Sequence, residues 1–271
     1  MSEPRAPRES LREMLRVERT RDGRQLARLE SFWGASAPGD LLARATLAAG
    51  AAPTASHALF LREPPPEVEL RLDCEALPAG CKRVTVREAE APVCEVQLRF
   101  GGAAEGLGYQ SVAPPRGLPP PETLPSEAEL AAREGWAPYA VGPIESRRIT
   151  PPEPVKDREP ATWLGWLRPR APLGDDPLLH AAALAFVAEY RSHWAVERRL
   201  GAAFPNTEIT LLDHALWVHR PTRFDDWWLV KTDSDVGAGG RCLSRREIFA
   251  RDGALIASAT WEASLRPTGA R

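Results

Sequence analysis

Lysine is scarce in this chain: Lys82, Lys156 and Lys231 are the only ones among 35 basic residues, and 37 acidic residues bring the formal charge to -2. That balance excludes nucleic-acid binding driven by bulk positive charge. Cysteine is scarce as well. Cys74, Cys81, Cys94 and Cys242 are too few to staple 271 residues, and no two stand at C-x-x-C spacing. Neither a zinc site nor a thioredoxin-like centre is expected, and the four read as buried or half-buried thiols in a reducing cytoplasm. No apolar run reaches the roughly 18 residues of a membrane span. The first fifteen residues hold no apolar stretch of the secretory kind. The expectation is a cytoplasmic chain with no membrane span, no nucleic-acid partner and no metal or redox cofactor. Apolar residues make up 43% of the chain, enough to bury a sizeable core.

Periodicity divides the chain into two similar runs. Residues 11–29 read as two short strands around Arg21-Asp22-Gly23, a tight-turn signal. Pro38-Gly39-Asp40 opens an Ala-rich helix, and HALFLRE, EVELRLDCEAL, CKRVTVREAE and PVCEVQLRF follow as extended stretches. From Val112 to Pro125, six prolines exclude a helix or a central strand and predict an extended linker. Ser126 with Glu129 is a capping box. The order then repeats: ATWLGWLRP as a strand, a long helix from Asp176 to about Leu200 stopped by Gly201, then ITLLDHALWVHR, WWLVKTDS, GRCLSRREIFA and ALIASATWEASLR as strands. CKRVTVREAEAPVCEVQLRF is echoed by CLSRREIFARDGALIASATWEASL. The fold class expected is α+β, a double hot-dog in which an antiparallel sheet wraps each long helix and the two units pair edge to edge. The divisions are an N-terminal unit over 1–111, the linker and a short helix over 112–142, and a C-terminal unit over 143–271.

At LLDHALWVHRPTRFDDWWLV, with HAAALAFVAEYRSHW before it and SDVGAGGRCLSR and FARDGALIASATWEASLR after it, the sequence resembles the type II acyl-CoA thioesterases. The resemblance is strongest from Trp163 to Arg266. It implies hydrolysis of an acyl-CoA thioester by an activated water, held in that family by an Asp, a Thr or Ser and a Gln. The Asp falls on Asp213, the Thr on Asp235 and the Gln on Trp261, so two of the three residue types differ. A Gly-Gly-Gln at the first helix start is replaced by Ala37-Pro38-Gly39-Asp40. The resemblance further implies an acyl-CoA or acyl-carrier-linked substrate; apart from it, the expected sheets leave edges that invite pairing, so a homo-oligomer is expected. A non-hydrolytic acyl-CoA binder and a hot-dog hydratase, dehydratase or cyclase are the competing readings.

Asp213 stands inside an apolar strand, where a carboxylate serves either as a general base or as an acceptor for backbone N–H groups at a strand end. His214 alternates to the opposite face and reads as core. Asp235, expected to share a proton with Asp213, precedes Gly237, Gly239 and Gly240, which point to a bulge or a close approach to a ligand. Arg241 offers a planar fork for a phosphate. His57 is a candidate for the cleft, Gly39 and Asp40 for a helix start that polarises a carbonyl, and Trp261 for drying the site. Most of the remaining tryptophans read as core packing.

Overall fold

Period-two alternation builds most of the molecule in the computed structural model, which describes residues 10–29, 38–65, 67–101, 106–134, 142–151, 153–156, 159–221 and 223–269. The first half contains α1 (Leu11–Met14), β1 (Glu18–Arg19), β2 (Gln25–Arg28), α2 (Pro38–Ala49), β3 (Ala55–Phe60), β4 (Glu69–Leu77), β5 (Cys81–Glu88) and β6 (Ala91–Arg99). After the linker come α3 (Glu127–Glu134), β7 (Ile144–Arg148), β8 (Ala161–Pro169), α4 (Pro177–Glu189) and α5 (Trp194–Leu200). The chain closes with β9 (Thr207–Leu211), β10 (Asp213–Val218), β11 (Trp228–Ala238), β12 (Arg241–Phe249) and β13 (Leu255–Pro267).

All these strands join one antiparallel sheet in the order β1-β2-β4-β5-β6-β3-β10-β13-β12-β11-β8-β7, with β9 beside β13. The two halves have the same internal order. β3, β6, β5, β4 and β2 correspond to β10, β13, β12, β11 and β8, so the echoed sequence segments are equivalent hairpins. The halves meet edge to edge, with Ala215 of β10 opposite His57 of β3. Central helices α2 and α4 pack against each other, and both bury nearly every side chain. Gly39 permits that approach: a Cβ there would lie 2.8 Å from the Phe186 carbonyl oxygen. The α+β double hot-dog is therefore the architecture.

Two expectations need correction. Residues 11–14 form a helical turn capped by the Ser10 hydroxyl, not a strand. The helix expected to reach Leu200 stops at Glu189, and Arg191 takes φ +55° before α5 begins. Periodicity cannot show what meets the break, where the carbonyls of Val187 and Tyr190 accept from Arg246, a residue of the sheet. Asp176 does cap α4, accepting from the Leu178 N–H at 2.9 Å. The Ser126–Glu129 box forms reciprocally, at 2.7–3.2 Å. The Pro-rich segment forms no long helix and no strand, its course broken by a turn at Arg116-Gly117 and a 3-10 turn at Pro121–Thr123. All four cysteines are free; Cys94 and Cys242 are buried and Cys81 is half-buried, whereas Cys74, expected to be at least half-buried, is exposed. Among the described residues, no helix is long and apolar enough to cross a membrane.

Candidate active site

A cavity of about 560 Å³ opens where the start of α2 meets the end of α4. Its wall is largely apolar: Leu41 from α2, Phe60 and Leu61 at the end of β3, Phe186 and Tyr190 from the α4 end, and Phe204, Ile209 and Leu211 around β9. One carboxylate set into this wall, Glu189, is 6% exposed. Its carboxylate oxygens accept the Gly39 N–H at 3.0 Å and the Ser192 hydroxyl at 2.6 Å. Burial pushes Glu189 above the ordinary carboxylate range, opposed by those two hydrogen bonds and by the charge of Arg246. The Gly39 donor belongs to the first half and the carboxylate to the second, so the sheet join and the α2–α4 crossing both build the site. Gly39 also stands at the positive end of α2, which favours an anion there.

Behind Glu189 lies a polar cluster under the helices. Arg246, 1% exposed, donates from Nε to the Thr232 hydroxyl at 2.8 Å and from Nη1 to the carbonyls of Val187 and Tyr190 at 2.7 and 2.9 Å. Trp261 lies 5.2 Å from its guanidinium, and His214 stacks on the same indole at 5.9 Å. Burial pulls His214 down to about 4, helped by Arg246 and His57 and opposed by its contact with the Ala188 carbonyl. His193, on the cavity wall, is brought to about 4 by burial and by the charges of Arg191 and Arg246.

The sequence-predicted residues separate into two groups. Gly39 is at the cavity, and Trp261 is beneath it on the helix-covered face, where it packs rather than dries a water site beside Asp213. The others lie elsewhere. Between β9 and β10 the pairing with β13 slips by one residue, since Leu211 faces Ala263 but Ala215 faces Thr260. At this bulge the Glu262 N–H loses its ladder carbonyl, and the Asp213 carboxylate accepts it at 2.9 Å. Asp213 does not line the cavity. Asp235 sits at a bulge in β11 and pairs with Arg245 at 2.5 Å. Strands β13 and β12 separate the two carboxylates, an offset of roughly 14 Å at about 4.8 Å per strand, so the expected proton-sharing pair does not form. Asp40 faces Arg44 at 2.8 Å, and Arg44 in turn ties down the carbonyls of Met14, Arg16 and Arg28. His57 is exposed with the Trp217 ring edge-on at 5.5 Å. Gly239 and Gly240 make the β11–β12 turn at φ +59° and +71° with Gly237 just before it, and Arg241 pairs with Glu262 at 3.1 Å. These glycines and Arg241 serve a hairpin, away from the cavity.

Glu189, Ser192, Arg246 and His193 were missed from sequence. One signal was available: Glu189 is the only carboxylate in the apolar run PLLHAAALAFVAE, at a C-terminal helix end where the dipole disfavours negative charge. Nothing in the sequence marked Arg246 among its many arginines.

Residues 120–265 match the family model for the acyl-CoA thioesterase C-terminal domain. Acyl-coenzyme A thioesterase 8 of Mus musculus is 25% identical over 234 residues, covering 78% of this chain and 72% of that protein. Acyl-CoA thioesterase 2 of Haemophilus influenzae is 25% identical over 229 residues, 78% of each. Among solved structures, an acyl-CoA thioesterase II of Mycobacterium marinum aligns with a TM-score of 0.78 at 23% identity, covering 97% of this chain and all of that one. A hot-dog protein of Alicyclobacillus acidocaldarius aligns with a TM-score of 0.75 at 17% identity, covering 93% and 96%.

Proposed function

Because the chain belongs to the acyl-CoA thioesterase family, whose C-terminal domain it matches across residues 120–265, we propose that it hydrolyses an acyl-CoA thioester in the cavity between α2 and α4, with Glu189 as the base. The observation that carries this reading is the buried Glu189 carboxylate, held by the Gly39 N–H and the Ser192 hydroxyl beside the apolar part of the cavity wall. A carboxylate desolvated in this way is a stronger base than one in water. In the reaction, water adds to the thioester carbonyl carbon while Glu189 takes its proton. The tetrahedral intermediate expels the thiolate, which is protonated, leaving a carboxylic acid and free coenzyme A. The apolar wall receives the acyl chain. Coenzyme A enters as part of the substrate, and the chain's own side chains serve for base and donors without a further cofactor. A cytoplasmic setting agrees with four free cysteines. Association into homo-oligomers is supported by Leu59, Trp217, Val236 and Leu243 standing exposed on the sheet.

The test is thiol release from a panel of acyl-CoAs, with an acyl-carrier-linked thioester beside them. Glu189→Gln is expected to lower kcat/KM by roughly 10²–10⁴-fold, and Asp213→Asn to keep most of it. The reverse pattern returns the role of base to Asp213 and removes it from Glu189.

A further inference from the structure

Arg246 is a buried cation that the reaction above does not use. Removing a guanidinium from water is costly unless its donors are met, yet Nη2 has no hydrogen-bond partner among the described residues. Packing does not require an arginine here, since the facing residues in the neighbouring strands are Thr232 and Ala259. Nε is met by the Thr232 hydroxyl within the sheet, and Nη1 reaches the end of α4. Val187 and Tyr190, whose carbonyls take Nη1, stand on either side of Glu189 in the chain. Carbonyls at a helix end lack intrahelical donors, and Arg246 supplies them at the break after Glu189.

We propose that Arg246 is the positioning residue of the Glu189 base: it fixes the broken end of α4 through the carbonyls of Val187 and Tyr190, and it places a buried positive charge behind the carboxylate at the cavity wall. The inference rests on Glu189 being the base. The other groups around Glu189 do not supply that charge. From α2, Asp40 is paired with Arg44. From the turn after α4, Arg191 is drawn over the rings of Tyr190 and Trp194, at 5.3 and 4.0 Å. His193 in that turn and His214 of β10 titrate near 4 and are neutral at working pH. Arg62, Glu63 and Arg266 stand elsewhere on the cavity wall, Arg62 paired with Glu88 at 2.5 Å, and none of them is among the charges acting on Glu189. Among these groups, only the charge of Arg246 acts appreciably on Glu189.

The experiment is kcat and KM for octanoyl-CoA against pH, in wild type, Arg246→Lys, Arg246→Met and Glu189→Gln, with folding checked by circular dichroism. Arg246→Met is expected to move the acidic limb of kcat/KM up by about one pH unit. Arg246→Lys keeps a charge but not the fork. It is expected to leave the limb in place and to lower kcat roughly tenfold at nearly constant KM. A folded Arg246→Met with the wild-type limb overturns the proposal, and so does Arg246→Lys with wild-type kcat. If Arg246→Met does not fold, the lysine variant decides. A Glu189→Gln enzyme with full activity and an unchanged limb removes the base itself, which distinguishes that failure from a failure of Arg246.

Discussion

Single residues in this molecule divide according to what burial does to their charge. Glu189 is pushed up and His214 is pulled down, the first by burial in the cavity wall and the second by burial in the cluster behind it. For His214 the consequence for stability has a definite sign. Its folded pKa, about 4, lies below the ordinary 6.5, so its contribution is complete above pH 6.5 and is lost as the pH falls toward 4. The size is on the order of 3 kcal/mol. Thermal midpoints measured between pH 7.5 and 4.5 should fall steeply across that window, and His214→Phe should flatten the slope. At this scale the sequence was least informative. Asp213, Asp235 and Asp40 are all carboxylates in conspicuous settings, yet each is committed to local structure: a bulge, an arginine on the next strand, and a buried helix pair. Strand alternation correctly put His214 on the core side. It could not reveal the one-residue slip at Leu212 that occupies Asp213, because a bulge depends on pairing with β13.

Among the elements, helices and strands were largely legible because their signals are local. The capping box at Ser126, the Asp176 cap and the alternation of β4 to β6 and β11 to β13 follow from neighbouring residues alone. The end of α4 did not, since the carbonyls at its break, those of Val187 and Tyr190, are met by Arg246, 59 and 56 positions further along the chain. The same long-range dependence makes Gly39 critical. Gly39→Ala would place a Cβ 2.8 Å from the Phe186 oxygen and 3.1 Å from a Glu189 carboxylate oxygen. Backbone cannot yield as a flexible side chain does, so α2 and α4 must separate. The expected cost is about 1–3 kcal/mol in urea unfolding, together with a fall in kcat as the Glu189 bond to residue 39 lengthens. An alanine variant with wild-type stability and rate would show that the helix crossing tolerates expansion.

Across the whole molecule, repetition was visible in the order of elements and in one echoed hairpin, and the halves join as two copies of one unit. The copies are alike in how they finish their central helices. At the end of α4, Arg246 covers the last carbonyls; at the end of α2, Gln25 and Lys82 reach the carbonyls of Ala48 and Ala49, at 3.1 and 2.6 Å. They differ in what stands there, since α2 ends at Ala49, with Gly50 next, where α4 ends in Glu189. With Glu189 as the proposed base, a doubled framework has a single working end, and the other half contributes Gly39 to it as a fixed support. That asymmetry sets a stoichiometry. Calorimetry with a non-hydrolysable acyl-CoA should give one ligand per chain, with a single-site isotherm and hyperbolic steady-state kinetics at the level of the isolated chain. Two equivalent sites per chain would mean that the first half retains a reactive end of its own.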